Sequence, residues 1–262
     1  MGPFKDIGLE KSGHVALVEI RRPPLNFFDV ALIKELASAF EALDDDTGCR
    51  ALVLAAQGKA FCAGADFGGD DSDGSALLSG PAPGAAHLYI EGNRLFRTKK
   101  PIVAAVHGAA VGGGLGLAMV ADLRVTCPEA RFCANFTRLG FHPGFGLTVT
   151  LPAVIGPSKA ALMFYTSRRL GGEEAFAIGL ADLLVAQDQV RSSALALATE
   201  IAENAPLGLI ATRATVRGDI ADRVRAATEQ ELAEQMRLRA TDDFKEGVKA
   251  MAERRVPVFN NR

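Results

Sequence analysis

The sequence has little net charge, because 29 basic and 31 acidic residues leave a formal charge of -2 at pH 7. No basic field is present that would attract nucleic acid, and no nucleic-acid-binding motif occurs. Charged residues make up 23% and hydrophobic residues 48% of the 262 residues, which is ordinary globular composition. We therefore expect one large domain, or one domain with a helical appendage, and no nucleic-acid partner.

Cysteine and histidine are few and scattered. The 4 cysteines show no C-x-x-C spacing, which in a chain of this length favours reduced thiols in a cytoplasm. The 4 histidines include no i, i+4 pair, so no metal site is expected. The first residues, MGPFKDIGLEKSG, lack the apolar segment of a secretory signal, which also favours a cytoplasmic protein.

Several nucleotide-binding and hydrolase signatures are missing. The sequence contains no clean G-x-G-x-x-G with an acidic residue at the ribose distance, and it contains no Walker A loop. A G-x-S-x-G elbow is also absent, since the nearest stretch, GPSKA at 156–160, lacks the final glycine. These absences argue against a dinucleotide-dependent enzyme and against an α/β-hydrolase.

One long apolar run is present, from Pro101 to Ala121, and His107 carries its only polar side chain. The length of the run would suit a membrane-spanning helix. Its several glycines, including the triplet at 112–114, would destabilise such a helix. We therefore expect no membrane partner, and we interpret the run as a buried strand over 101–106, a glycine bend and a short buried helix.

The order of the predicted elements favours an α/β core followed by a helical region. Strands and helices alternate in the first half, whereas the last third is nearly all helical. A stretch rich in Gly, Asp, Ser and Pro, residues 66–85, predicts a mobile loop. The predicted strands are 14–20, 49–56, 101–106 and 123–127, and the predicted helices include 30–43, 87–98, 187–204 and 219–253.

Two glycine-containing bends, AGAD at 63–66 and GGG at 112–114, each follow a predicted strand. The start of a helix leaves backbone N–H groups unpaired, and glycine lets a ligand oxygen approach them. Two such bends together could provide a pair of donors for one oxyanion. The alternative is that the glycines only permit close packing of a helix on a strand.

The stretches around these bends resemble the enoyl-CoA hydratase/isomerase, or crotonase, superfamily. The resemblance implies an α/β fold, a crotonase-like spiral of ββα units over residues 1–200, followed by a helical trimerisation region over 201–262. A homotrimer, or a hexamer of paired trimers, is implied as well. The matching stretches are, in chain order, VEIRRPPLNF (18–27), FCAGAD (61–66), AVHGAAVGGGLGLAMVADLRV (105–125), LGFHPGFG (139–146), RRLGGEEAFAIGLADLLV (168–185) and AERRVPVF (252–259).

The resemblance implies an enzyme that acts on an acyl-CoA thioester. Coenzyme A would be part of the substrate, and no cofactor would be permanently bound. The family motif places the two oxyanion donors on the backbone N–H groups of Ala65 and Gly113, which would hold the thioester oxygen while an enolate forms. It places contacts to coenzyme A or the acyl group on Leu25, Lys59, Ala63, Asp66, Phe136 and Phe259.

Two of these contacts carry further expectations. Lys59 suits a phosphate of coenzyme A because it is a flexible cation, although a solvated surface lysine is the alternative. Phe259 matches the C-terminal aromatic residue that lies near the adenine of a neighbouring subunit in the family. Phe136, Phe141 and Phe145 suggest an apolar and bulky acyl group.

The sequence departs from the family at both catalytic glutamates of the hydratases. The family pattern places them at Gly116 and Phe136, and neither side chain can act as an acid or a base. Hydration through paired carboxylates is therefore not expected. His142 is the candidate replacement, because an imidazole exchanges protons near neutral pH. The alternative is that His142 packs beneath Phe141 and Phe145.

Three classes of function follow. The first is an acyl-CoA lyase or isomerase that stabilises a thioester enolate, with a hydrolase or C–C lyase that uses His142 as a variant of it. The second is a non-catalytic protein that binds CoA esters. The third, a serine peptidase on the related spiral fold, is disfavoured because no serine follows the glycines at the start of the helix.

Overall fold

The computed structural model of the protein describes residues 4–66 and 88–261, so nearly all of the predicted mobile loop lies outside the described residues. Short 3-10 turns lie at Thr137–Leu139 and Gln187–Gln189. The strands are β1 (Ile7–Ser12), β2 (Val15–Ile20), β3 (Ala51–Ala56), β4 (Ala60–Cys62), β5 (Ile102–Val106), β6 (Ala109–Val111), β7 (Leu123–Thr126), β8 (Arg131–Cys133), β9 (Arg169–Gly171) and β10 (Leu183–Leu184). The helices are α1 (Val30–Asp45), α2 (Leu88–Leu95), α3 (Gly113–Ala118), α4 (Leu147–Ile155), α5 (Pro157–Thr166), α6 (Gly172–Ala177), α7 (Val190–Ala202), α8 (Pro206–Arg217), α9 (Ile220–Arg239) and α10 (Asp242–Ala252).

The described strands form two sheets. The larger sheet has the order β1-β2-β3-β5-β7-β10, and the smaller has the order β4-β6-β8-β9. Neighbouring strands are parallel except in the antiparallel pairs β1–β2 and β8–β9. From β3 to β8, each strand of the larger sheet is followed by a strand of the smaller sheet, and α2 and α3 connect one pair to the next. This repeated ββα order confirms the predicted α/β fold.

The larger sheet has its most buried strands at its centre. Every residue of β2 (VALVEI), β3 (ALVLAA) and β5 (IVAAV) is buried. Near-continuous apolar runs of this kind are typical of parallel strands that are covered on both faces. The predicted strands therefore match these elements closely, and α1 begins as predicted, with Asp29 Oδ1 accepting a hydrogen bond from Leu32 N at 2.9 Å.

The strands of the smaller sheet are not predicted from the sequence. Each of β4, β6, β8 and β9 is only 3 residues long. A period of two cannot be recognised over so few residues. These strands are nevertheless important for the site, because β4 and β6 pair in parallel and both glycine bends follow them directly.

The apolar run from 101 to 121 is divided among β5, β6 and α3, in agreement with the interpretation as strand, bend and short helix. Within the described ranges, no single helix is long and apolar enough to cross a membrane. Residues 187–202 and 206–217 reach the required length and composition only together, and they are bent by 107° relative to each other.

The predicted helix over 219–253 is divided into α9 and α10. Thr241 caps α10, because its Oγ1 accepts a hydrogen bond from Phe244 N at 3.2 Å. Helix α10 packs against the 137–139 turn of its own chain, where a Cβ on Gly247 would lie 2.4 Å from the carbonyl carbon of Leu139. The proposed boundary between residues 1–200 and 201–262, and a role of the second part in trimerisation, stay predictions.

Asp122 connects helix α8 with the larger sheet. Its Oδ2 accepts hydrogen bonds from Ile102 N and Arg213 Nε, and its Oδ1 accepts one from Arg217 Nη1, each at 2.8 Å. Burial lowers the pKa of the Arg213 guanidinium, and the nearby Asp122 carboxylate acts in the opposite direction. A charge-assisted group of this kind holds α8 against the first residue of β5.

The close packing of α3 on β4 can be tested at Gly114, where a Cβ would lie 2.0 Å from Cys62 O. Gly114→Ala should lower the free energy of unfolding by about 1–3 kcal/mol, because backbone must move to make room. Gly208→Ala in α8 is the matched control, since a Cβ there meets nothing nearer than Ala205 Cβ at 3.9 Å. The control should leave the free energy of unfolding unchanged or raise it by up to about 1 kcal/mol. Chemical denaturation measures both, and equal effects would contradict the close contact.

Candidate active site

A cavity of about 390 Å³ has both glycine bends in its wall. The first bend contributes Ala63 to Asp66, and the second contributes Val111 to Gly113. The rest of the wall is mainly apolar and includes side chains from α10. A cavity of this size with few polar groups is the usual form of a small-molecule site. Its phenylalanines are Phe27, Phe28, Phe136, Phe141 and Phe145.

The first bend touches the second through Gly64. The φ of Gly64 is 88°, a left-handed conformation that favours glycine. A Cβ at this position would lie 2.8 Å from Val111 O and 3.7 Å from Gly113 N. The two stretches of main chain therefore lie directly against each other, and the residue between Ala63 and Ala65 must be glycine.

The second bend turns the chain from β6 into α3. Gly112 has a φ of 55°, and its N–H donates a hydrogen bond to Cys133 O at 2.8 Å. Gly113 is the first residue of α3, a position where the N–H has no acceptor one turn earlier in the helix. The hydrogen bond to β8 thus holds the bend in place. The N–H of Gly113 has no backbone acceptor among the residues that the structure describes.

The N–H groups of Ala65 and Gly113 donate no hydrogen bond to any acceptor within residues 4–66 and 88–261. Both residues belong to the wall of the same cavity. Unpaired backbone donors are rare in folded proteins unless water or a ligand pairs with them. A backbone N–H without an internal acceptor can donate to a ligand oxygen that carries partial or full negative charge.

The buried thiols of β4 and β8, the strands beside the two bends, are not activated. Burial raises the pKa of Cys62 to about 12 and that of Cys133 to about 11, so both thiols are protonated and poorly nucleophilic at neutral pH. Within the part of the chain that the structure describes, no group of three or more His, Cys, Asp or Glu residues could hold a metal ion. Asp66 is the one carboxylate among the described residues of the wall.

Phe145 occupies the space in which a side chain at position 116 would lie. A Cβ on Gly116 would lie 2.7 Å from the Cβ of Phe145 and 3.0 Å from its Cδ1. Phe145 is only 2% exposed, and its ring packs on Phe28 with 5.6 Å between the ring centroids. A glutamate at position 116 therefore does not fit beside Phe145. Phe136, at the second position where the family pattern places a glutamate, is buried and lines the cavity.

His142 belongs to a loop that enters the cavity wall, but its own ring is elsewhere. Phe141, Gly144 and Phe145 line the cavity, whereas His142 is not among the described lining residues. The half-buried ring places Nδ1 2.7 Å from Pro143 O. Its role as an acid or base therefore stays a prediction.

The residues predicted to contact coenzyme A are partly brought together. Lys59 N donates to Pro24 O at 2.9 Å and Ala63 N donates to Leu25 O at 3.0 Å, so the segments around 25 and 59–63 run side by side. The side chains of Leu25 and Lys59 are exposed, and Ala63 and Asp66 reach the cavity. Phe259 is exposed near the C-terminus and is not among the described residues of the wall.

Sequence reasoning misses several members of the wall. Gln235 comes from α9, Arg169 from β9, and Val248 and Met251 from α10. Arg169 lies in the stretch 168–185 that carries the family resemblance, but the resemblance assigns it no role, and the other three lie in no recognisable motif. The sequence signal that they offer is weak: Gln235 is a polar residue on a helix face that turns out to be buried, and Met251 is one of several apolar residues of an amphipathic helix.

Comparisons with known proteins extend over nearly the whole chain. A family model described as enoyl-CoA hydratase/isomerase matches residues 10–262. The chain is 31% identical to the short-chain-enoyl-CoA hydratase of Clostridium acetobutylicum over 99% of both chains, and 31% identical to the crotonyl-CoA hydratase of Syntrophomonas wolfei over 98% of both. Its fold is similar to that of an enoyl-CoA hydratase/isomerase from Pseudoalteromonas atlantica, with a TM-score of 0.87, 28% identity, and coverage of 98% of this chain and 100% of that one.

The overlap between Phe145 and position 116 can be measured with a double-mutant cycle. Gly116→Ala should lower the free energy of unfolding by about 1–3 kcal/mol in the wild-type background. Phe145→Gly removes both the ring and the Cβ, and glycine tolerates the φ of 60° at this position. In that background the effect of Gly116→Ala should disappear, because its new methyl group meets no side chain at position 145. Urea denaturation of the four proteins gives the coupling, and strictly additive effects would contradict the overlap.

Proposed function

The chain belongs to the enoyl-CoA hydratase/isomerase, or crotonase, family, and we propose that it is an acyl-CoA lyase or isomerase with a backbone oxyanion hole. In this proposal the N–H groups of Ala65 and Gly113 bind the thioester oxygen of the substrate. Negative charge develops on that oxygen when the α-carbon loses a proton or a carbon substituent. The two donors stabilise the resulting enolate.

The observation that carries the proposal is that, within residues 4–66 and 88–261, the N–H groups of Ala65 and Gly113 have no acceptor, while both residues line one cavity. Gly64 of the first bend lies against the second bend, and a Cβ on it would lie 3.7 Å from Gly113 N. Donors fixed by the main chain need no reorganisation when charge develops on the oxygen. The mainly apolar wall lowers the local dielectric constant, which strengthens such hydrogen bonds.

Hydration by a pair of glutamates is not part of the proposal. Gly116 and Phe136 stand where the family resemblance places those carboxylates, and Phe145 fills the space beside Gly116. The reaction that we propose therefore forms an enolate without two carboxylates sharing a water molecule. The phenylalanines of the wall suit an apolar acyl group.

Coenzyme A is proposed to bind as part of the substrate along the edge formed by residues 24–25 and 59–66. Leu25 and Ala63 would contact the pantetheine arm, and Asp66 lies where the cavity meets solvent. Lys59 is exposed at the same edge and suits a phosphate group. Phe259 is proposed to contact the adenine in a neighbouring subunit of a trimer or hexamer, and Phe136 to contact the acyl group.

The oxyanion hole can be tested at Ala65, because Ala65→Pro deletes the N–H and Ala65→Gly keeps it. Loss of one such donor costs about 2.7–4 kcal/mol of transition-state stabilisation, so kcat of Ala65→Pro should fall about 10²–10³-fold on the best substrate of an acyl-CoA panel. Ala65→Gly should stay near the wild-type rate. Both variants should bind free coenzyme A as the wild type does, measured by isothermal titration calorimetry. Undiminished turnover by a folded Ala65→Pro protein would refute the proposed role.

His142 is the proposed acid or base, and it would accept the α-proton in a proton transfer or serve a hydrolysis or a C–C cleavage. The proposal is supported by its place in the chain, because Phe141 and Gly144 on either side of it line the cavity. His142→Ala should then lower kcat by about 10²–10⁴-fold and remove one limb of the pH–rate profile, while His142→Gln serves as a control of similar shape. An unchanged pH–rate profile in His142→Ala would exclude the imidazole from the chemistry.

A non-catalytic protein that binds CoA esters is the second candidate function. It is favoured by the same observation that argues against hydration, since Gly116 and Phe136 supply neither an acid nor a base. The acyl-CoA panel distinguishes the two candidates directly. Binding of CoA esters without turnover of any member by the wild-type protein would establish the second candidate.

A further inference from the structure

Tyr89 and Gln235 form a buried polar pair in the otherwise mainly apolar wall of the cavity. They come from α2 and α9, 146 residues apart in the sequence, and they are only 7% and 1% exposed. Tyr89 Oη donates a hydrogen bond to Gln235 Oε1 at 2.6 Å. Both side chains belong to the cavity wall, so a polar surface is available to whatever the cavity holds.

The amide of Gln235 has hydrogen-bonding capacity beyond this pair. A primary amide offers two N–H donors and a carbonyl oxygen with two lone pairs. One N–H donates to His142 O at 2.9 Å, and one lone pair accepts from Tyr89. Within residues 4–66 and 88–261, the second N–H and the second lone pair have no partner. Each polar atom of the Gln235 side chain thus has one partner, and the remaining N–H and lone pair are available to a ligand in the cavity.

Gly144 leaves the space that the pair needs. A Cβ at this position would lie 2.1 Å from Tyr89 Oη and 2.5 Å from Gln235 Nε2. The φ of Gly144 is not in the left-handed region, so its glycine supplies space and not an unusual conformation. The absence of a side chain at position 144 thus makes room for the polar ends of Tyr89 and Gln235 where they reach the cavity.

We propose that Gln235 binds an oxygen atom of the acyl group, and that the protein prefers acyl-CoA esters with a largely apolar acyl group that carries a hydroxyl or keto oxygen. The inference rests on the proposed function of the cavity as an acyl-CoA site. A hydroxyl group can pair with both remaining functions of the amide, because it accepts from the second Nε2–H and donates to the second lone pair of Oε1. A keto oxygen uses the N–H alone. Tyr89 is a positioning residue that fixes the orientation of the amide.

Such a subsite gives strong selectivity. An apolar pocket discriminates weakly against an added or missing methylene, whereas a site that hydrogen-bonds an oxygen rejects the analogue that lacks it. A methyl group in place of the hydroxyl would leave the second N–H and the second lone pair of the buried amide without a partner. The phenylalanines would continue to bind the remainder of the acyl group in both cases.

The test compares CoA esters in isosteric pairs. Each pair consists of a hydroxyhexanoyl-CoA, with the hydroxyl on carbon 4, 5 or 6, and the ester in which a methyl group replaces that hydroxyl. Dissociation constants are measured by isothermal titration calorimetry with the full-length wild-type protein. In at least one pair, the hydroxyl ester should bind about 10-fold or more tightly than the methyl ester.

Variants then assign the preference to Gln235. Gln235→Met keeps the length of the side chain and removes both hydrogen-bonding functions, so the ratio within the pair should fall to about 1. Tyr89→Phe is the matched control, since it keeps the amide and should reduce the ratio without abolishing it. If Gln235→Met does not fold, Gln235→Glu replaces it. The carboxylate keeps the acceptor but has no N–H, so a preference for the corresponding keto ester should be lost.

The possible outcomes separate this inference from the proposed function. Equal affinities within every pair for the wild-type protein would overturn the subsite and leave the acyl-CoA function intact. Failure to bind any acyl-CoA ester would overturn both. A preference that survives in Gln235→Met and disappears in Tyr89→Phe would overturn the assignment to Gln235, because the phenol would then be the group that binds the oxygen.

Discussion

The candidate site depends on one constraint, which is that two stretches of main chain lie in direct contact. A Cβ on Gly64 would lie against Val111 O, and a Cβ on Gly114 would lie against Cys62 O, so glycine is needed on both sides of the contact. The parallel pairing of β4 with β6, in which Cys62 lies opposite Ala110, brings both bends to the same end of the smaller sheet. Ala65 and Gly113 therefore belong to the wall of one cavity, and in the proposed function a single thioester oxygen accepts hydrogen bonds from both of their N–H groups.

Phenylalanine side chains make most of the cavity wall apolar. Phe145 lies against Gly116 and Gly92, and its ring packs with those of Phe28 and Phe96, so the space beside Gly116 is filled by aromatic surface. Polar groups in the wall are correspondingly few. In the two proposals, the N–H groups of Ala65 and Gly113 orient the thioester, and the amide of Gln235 orients an oxygen atom of the acyl group.

The C-terminal helices complete this cavity and do more than cover the core. Helix α10 supplies Val248 and Met251, and α9 supplies Gln235. On the same buried face of α9, Glu231 accepts hydrogen bonds from Gly146 N at 2.8 Å and from Thr148 Oγ1 at 2.6 Å, which fixes the start of α4 after Phe145. Burial raises the pKa of this carboxyl group, and the hydrogen bonds from Gly146 and Thr148 act in the opposite direction. Polar contacts of α9 therefore hold both ends of the loop that carries Phe145.

The sequence by itself determined the α/β order, the long buried strands, the two glycine bends and the family. Each of these can be recognised from a local pattern of apolar residues, of small residues or of motif spacing. Tertiary structure alone decided the three-residue strands, the filling of the space beside Gly116 by Phe145, and the presence of Gln235, but not His142, among the described residues of the cavity wall. The physical reason is that these features depend on side chains from distant segments competing for the same few ångströms of space. Local spacing carries no information about which of them occupies it.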